Sequence, residues 1–450
     1  MKNPASGTLA PRLASITCTR PLPGGSSLAD LLVSGRECAW IRLGEGLVGL
    51  GTAARFTTTG PARFDEARQW WSGATAAATG NPVAFAAFAF DDDSRVDSVL
   101  RVPEIVLGTT DGESWLQWHV DLDSPAYADR VAAGWWPDES GAEERLAELL
   151  TEADLAGEET AAAQAGDPTL TEGAMTSDGF RAAVVRGVEA ITAGELTKLV
   201  LARDAVVSTP GPVDVPQLLR ELAVRYRDCW TYAVDGLVGS TPEMLVKVDG
   251  GRARARVLAG TLDRAGAPQG HGGTSYATHL LFEDEKQRHE HQLAIDSLTE
   301  RLEPFTSELN AHAEPFVLEL PNVWHLASDV TAELAATNGH ATSALDLVQA
   351  LHPTAAVCGT PRDEAAQLIR ALESVEHGVD RGLYAGPVGW LDAAGNGEFG
   401  IALRGAVVED EHTLRLYAGC GIVSASDPEA ELAETNAKMR PMLQALGLRA

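Results

Sequence analysis

Two spacings of apolar residues alternate along this 450-residue chain. In the first third they form short runs at 39–43, 83–90, 105–107 and 115–120, broken by Gly, Asp and Pro, which predicts strands and turns. Residues 143–150 have the pattern of a helix end. They lead into an Ala/Glu/Gly stretch without aromatic residues at 151–176, which predicts a linker or mobile crossing between a strand-rich N-terminal part (1–150) and a second region (177–450). Beyond it Phe180, Val184, Val188 and Ile191 form a helical stripe, with Ser177-Asp178 as its cap and Gly194 as its stop. Residues 198–207 alternate as a strand, with Lys198, Val200 and Ala202 on one face. Further strands are predicted at 230–234, 244–248, 253–258, 386–391, 399–408 and 413–418, and helices at 283–302, 343–351, 363–373 and 429–446. No repeat of fixed period is evident. Neighbouring strands mixed with long helices predict an α+β fold with mixed or antiparallel sheets.

Charge narrows the function classes. The chain has 35 Lys+Arg against 64 Asp+Glu, a formal balance of −29. Such a surface repels phosphate backbones and anionic lipid, so no nucleic-acid or membrane-surface role is expected. An anionic substrate then needs a local cation, whether Arg, Lys or a metal ion. No apolar run reaches the length of a membrane span, and the first residues lack the apolar core of a signal peptide, so a cytoplasmic location is expected. Five dispersed cysteines without C-x-x-C spacing point to reduced thiols.

Only five lysines occur: Lys2, Lys198, Lys247, Lys286 and Lys438. Lys can shed its proton near neutral pH in a suitable site, whereas Arg cannot. In the last predicted helix, capped by Asp427 with Pro428 at its first position, Glu431 and Glu434 share one face with Lys438. This arrangement suits either a solvated acidic first turn or, with a carboxylate from elsewhere, an oxygen-rich Mg²⁺ site. Glu290-His291 in KQRHEHQL has the pattern of a charged outer face, and its histidine spacing is wrong for zinc. The glycines in Ala418-Gly419-Cys420-Gly421 follow a strand, where backbone N–H groups can cradle a carboxylate or simply turn a hairpin. There is no P-loop, dinucleotide fingerprint, G-x-S-x-G or H-E-x-x-H motif.

Ten ordered blocks give a sharper picture: TKLVLAR (197–203), GSTPEMLV (239–246), LAGT (258–261), EKQRHEH (285–291), WHLAS (324–328), LHPTAAVCGTP (351–361), RGLYAGPVGW (381–390), IALR (401–404), LYAGCGIV (416–423) and SDPEAELAET (426–435). Together they resemble the chorismate-utilising enzymes, the anthranilate synthase component I-like family that includes isochorismate and salicylate synthases. The resemblance implies two antiparallel β-sheets packed face to face with helices outside. It also implies a Mg²⁺-dependent reaction on chorismate, with Glu290, Glu431 and Glu434 holding the ion and its waters. By the same resemblance Arg404 and Tyr384 grip the enolpyruvyl carboxylate with N–H groups near Gly419 and Gly421. Gly260, Thr261, His325 and Lys438 fall at substrate-pocket positions.

Within the family, ammonia-using relatives usually carry Gln where this chain has Lys198. The resemblance therefore implies addition of water at C2 with Lys198 as general base, and loss of the C4 hydroxyl with Glu243 as general acid, converting chorismate to isochorismate. A structural Lys198–Glu243 ion pair is the alternative. Ala356 stands where salicylate-forming relatives tend to have Thr, which favours an isochorismate synthase over a salicylate synthase. Gln287 departs from the acidic residue seen there in some isochorismate synthases. A non-catalytic chorismate binder would be expected to lack the base, acid or metal carboxylates, all of which are present. Water needs no ammonia channel, so no amidotransferase partner is expected; with no obvious partner-binding helix, the chain is expected to act as a monomer. Menaquinone and siderophore synthesis are the two expected destinations of the product.

Overall fold

The computed structural model describes residues 10–32, 38–161, 166–263, 271–283, 285–311, 314–319, 323–337 and 340–448. Among these, the strands form one 12-stranded sheet and one 10-stranded sheet, with a separate two-stranded ribbon. Every strand pairing within them is antiparallel.

The sheets face each other across an apolar layer. Trp40, Tyr232 and Leu237 of the larger sheet meet Phe85, Val99 and Val388 of the smaller one. Helices cover the outer faces. Helix Val215–Arg225 lays Leu218, Leu219 and Leu222 against the larger sheet, where helix Pro428–Ala445 adds Met439, Met442 and Leu443. Helix Ala344–Leu351 buries Leu345, Leu347, Val348 and Leu351, and a full capping box at Ser343/Asp346 starts it. The N-terminal strands are not a separate body. Strand Cys38–Arg42 pairs directly with Trp230–Val234, and Val83–Ala87 pairs with Pro387–Asp392.

Four expectations are corrected. The stretch 151–176 is not simply a linker: helix Glu139–Ala161 runs into it, and Thr169–Glu172 forms an edge strand on Ala205–Ser208, while 162–165 lie outside the described residues. Its Ala and Glu residues are good helix formers, and its strand is held by backbone pairing with all four side chains exposed. The run 399–408 is not one strand but two, Gly397–Ile401 in the smaller sheet and Gly405–Asp410 in the larger. Between them Arg404 adopts φ +51°, a left-handed turn that a non-glycine residue rarely takes. Gly419–Gly421 form no hairpin turn but lie inside strand Thr413–Ile422. The first helix after the crossing is capped by Thr176, whose side chain accepts from Gly179 N, rather than by Ser177-Asp178.

Candidate active site

Lys198 opens strand Lys198–Ser208, next to the edge of the larger sheet, and pairs with Thr360. Opposite, on strand Thr413–Ile422, Val200 faces Gly421 and Ala202 faces Gly419. A Cβ built on Gly421 would stand 3.0 Å from Lys198 Cε and 3.7 Å from Nζ. The lysine stem therefore crosses the strand where the side chain is missing, which explains a glycine inside a ladder.

The ladder also fixes the direction of the glycine amides. Val200 N donates to Cys358 O at 2.8 Å, Val200 O accepts from Arg381 at 2.8 Å, and Ala202 N donates to Glu373 at 2.8 Å. These groups point away from the glycine strand, so their antiparallel partners Gly421 and Gly419 direct theirs the opposite way. Gly419 O accordingly accepts from Lys438 Nζ at 2.9 Å. On that side, beyond Leu416, no strand pairs with Thr413–Ile422 among the described residues. The N–H groups of Gly419 and Gly421 thus line an open edge beside Lys438. The expected N–H cradle has a strand edge, not a turn, as its scaffold.

Glu243 lies where the chain passes from the larger sheet (Leu237–Thr241) to the smaller (Met244–Asp249). Thr241 Oγ1 accepts from its N–H at 3.2 Å, and its carbonyl accepts from Ile401 N at 3.0 Å. Desolvation at this junction raises its carboxyl pKa to about 7, against opposing pulls from Lys198, Lys438 and Arg404. A carboxyl poised to give up its proton near neutrality is thereby set among three basic side chains. Lys198 pulls the carboxyl the other way, and desolvation outweighs that pull.

Tyr384 is buried and stacks on Tyr417 with ring centroids 5.1 Å apart. Burial pushes its phenol up to about 12, so it is a neutral donor, with Arg381 and Arg404 pulling the other way. Arg404 is half-buried at the crossing between sheets. Ala356 lines a pocket shared with Glu243, Leu258, Leu298 and Thr354.

Helix Pro428–Ala445 starts on Asp427, whose side chain accepts from Glu429 N and Ala430 N. Arg203 of the Lys198 strand donates to Thr435 Oγ1 at 2.8 Å and also bonds Asn436, locking that helix onto the sheet. Glu434 pairs with Lys438 at 2.7 Å. Glu431 Oε2 is buried without a hydrogen-bond partner among the described residues. An orphaned carboxylate oxygen beside a second carboxylate fits a hard cation with oxygen ligands. No cluster of three metal-binding side chains occurs among the described residues. The third expected ligand, Glu290, sits on helix Glu285–Leu302, but its side chain lies outside the described residues. So do the side chains of Thr261 and His325; Gly260 lies in strand Arg252–Asp263, where the register shifts between Leu258 and Thr261, and the backbone pairs Thr261 with His325.

Sequence patterns missed two features. His291 does not face outward: it is 2% exposed and its Nε2 meets Ser328 Oγ at 2.8 Å, anchoring the Glu290 helix to strand Val323–Leu334. The Glu373–Arg381 pair at 2.7 Å was also missed. Its only sequence signal was the presence of Arg381 in the RGLYAGPVGW block.

A family model for chorismate binding enzymes matches residues 41–447. The chain belongs to the chorismate-binding enzymes. It is 37% identical over 296 residues to the isochorismate synthase DhbC of Bacillus subtilis, covering 63% of this chain and 72% of that one. It is 35% identical over 282 residues to the isochorismate synthase EntC of Escherichia coli, covering 60% and 67%. The fold is similar to that of MenF, the menaquinone-specific isochorismate synthase of Escherichia coli, with a TM-score of 0.76 and 25% identity over 97% of this chain and 95% of that one. Membership accounts for the two facing antiparallel sheets. No helix among the described residues of this chorismate-binding enzyme is long and apolar enough to cross a membrane.

Proposed function

We propose that this chorismate-binding enzyme is an isochorismate synthase, an isomerase that converts chorismate to isochorismate reversibly. The observation that carries the proposal is Glu243: a carboxyl held near pKa 7 by desolvation, in the field of Lys198, Lys438 and Arg404. General acid catalysis at neutral pH needs such a group.

Lys198, as the free amine, takes a proton from water as the water oxygen bonds to C2. The ring double bond shifts, the C4–O bond breaks, and Glu243 delivers its proton to the departing oxygen, which leaves as water. Arg404 and the neutral Tyr384 phenol bind the enolpyruvyl carboxylate, joined by the N–H groups of Gly419 and Gly421. Lys438, held by Gly419 O and Glu434, adds positive charge to the same wall. Gly260, Thr261 and His325 complete the pocket, and Ala356 leaves room beside Glu243. Glu431, Glu434 and Glu290 would hold Mg²⁺, which when bound would anchor and orient the ring carboxylate.

Water is the nucleophile, so the chain needs no amidotransferase, and its proposed setting is the cytoplasm, as a monomer. Its product feeds menaquinone or siderophore synthesis. Incubation of purified protein with chorismate and Mg²⁺, with and without EDTA, followed by mass spectrometry, tests the proposal. A mixture of chorismate and isochorismate, isomers of equal mass that chromatography separates before the mass spectrometer, is expected, with no salicylate. Salicylate with pyruvate would make it a salicylate synthase, and absence of turnover would leave a chorismate-binding protein.

A further inference from the structure

Thr354 carries a hydroxyl that packing does not explain. Its Oγ1 is shielded from solvent and has no hydrogen-bond partner among the described residues, whereas buried hydroxyls in folded proteins are nearly always paired. Its backbone does close the local turn, the carbonyl accepting from Val357 N at 3.2 Å and Cys358 N at 3.0 Å. The side-chain oxygen takes no part in that turn. The residue as a whole is only half-buried, and it lines the pocket shared by Glu243 and Ala356. The residue thus brings an unpartnered hydroxyl to the wall of that pocket.

Much of the wall is apolar, including Met244, Leu258 and Leu298, and its two arginines have protein partners. Arg256 holds Asp329 through bonds of 2.6 and 2.9 Å, and Arg301 reaches Ala350 O at 3.3 Å. The departing C4 oxygen leaves as water, and a water molecule needs more hydrogen-bond partners than one carboxyl supplies. A threonine hydroxyl both donates and accepts, so it can serve the oxygen before and after the C–O bond breaks.

We propose that Thr354 is a catalytic residue that hydrogen-bonds the C4 oxygen as it departs and holds the released water beside Glu243. This rests on the acid role proposed for Glu243. Thr354 transfers no proton: the proton that completes the water comes from Glu243. In the reverse direction Thr354 orients the incoming water while the Glu243 carboxylate accepts its proton.

The test compares Thr354→Val and Thr354→Ser with wild type in kcat and KM in both directions, together with thermal melts. Valine keeps the shape and removes the hydroxyl. Because that hydroxyl has no partner among the described residues, Thr354→Val is expected to keep or raise Tm. Its kcat should fall at least tenfold in both directions with KM within twofold, and Thr354→Ser should keep kcat within threefold of wild type. A Tm that falls together with kcat would mark the hydroxyl as structural and overturn the proposal. Wild-type kcat in Thr354→Val would overturn it while leaving the isochorismate synthase reading intact. Wild-type protein that fails to interconvert chorismate and isochorismate would overturn both.

Discussion

Arg381 and Glu373 meet at 2.7 Å in the interior, their side chains 3% and 1% exposed. The pair fills a gap in the sheet. Strand Lys198–Ser208 has neighbours on its outer edge at Leu199 and again at Ala205, and between them Arg381 binds Val200 O while Glu373 binds Ala202 N. Arg381 also binds Val357 O at 2.8 Å, so one guanidinium ties the Lys198 strand to the loop carrying Ala356.

Removing one member of this pair strands the other as a buried charge. Arg381→Met is expected to cost about 3–5 kcal/mol in urea unfolding. Arg12→Ala, which breaks the exposed 3.0 Å pair with Asp123, is expected to cost under about 1 kcal/mol. Equal costs for the two variants would show that the buried pair has no special role in the sheet.

Glu243 sets the pH dependence. Its carboxyl is displaced upward to about 7 by desolvation, so the acid form is present below that pH and lost above it. The alkaline limb of kcat/KM for the chorismate reaction is expected to fall with an apparent pKa near 7. Glu243→Gln should lower kcat by about 10²–10⁴-fold and remove that limb. Stability has a defined sign as well. The unfolded carboxyl ionises near its ordinary value of 4.5 while the folded one stays protonated, so stability is lost as pH rises from about 4.5 to 7. Glu243→Gln is therefore expected to be more stable than wild type at pH 8, on the order of 1–2 kcal/mol after allowing for partial exposure, and equal to it at pH 4. A melt series across that range checks both ends.

Elements with a clear period were legible: residues 230–234 and 244–248 lie where the strands Trp230–Val234 and Met244–Asp249 form. What escaped depended on tertiary context. The break at Arg404 needs a left-handed non-glycine residue, which no apolar pattern signals. Gly419 and Gly421 resembled turn residues, yet one clears space for a lysine from the neighbouring strand, and that space exists only after pairing. The helix through 151–161 has weak amphipathicity and was masked by its acidic, small-residue composition. Lys198 and Glu243 came from block resemblance, and their surroundings came only from the fold.

Gly421→Ala tests the crossing of Lys198 directly. The backbone there is ordinary strand, so alanine suits the conformation, but its Cβ meets Lys198 Cε at 3.0 Å. The flexible lysine yields by a few tenths of an ångström, which shifts the amine. Expected are a Tm within about 3 °C of wild type, a kcat lowered by up to about tenfold and a KM little changed, since misplacing a reacting group by about 1 Å can cost 10²-fold and this shift is smaller. Unchanged kcat would mean that the amine position is not critical.

The carboxylates of the last helix make a prediction about metal. Glu431 Oε2 lacks a partner among the described residues, whereas Glu434 is engaged by Lys438. A protein ligand for Glu431 would make Glu431→Gln destabilising; a metal role predicts that the variant folds as well as wild type and binds Mg²⁺ at least tenfold more weakly. Calorimetric titration of the apo protein with Mg²⁺ separates these outcomes without recourse to turnover. EDTA is expected to abolish chorismate conversion, and excess Mg²⁺ to restore it. Glu434→Gln should weaken Mg²⁺ as well, and it also removes the anion that neutralises Lys438. Its defect should therefore extend to KM for chorismate, while that of Glu431→Gln should be corrected by raising Mg²⁺ alone. Identical Mg²⁺ affinity in wild type and both variants would place the ion elsewhere.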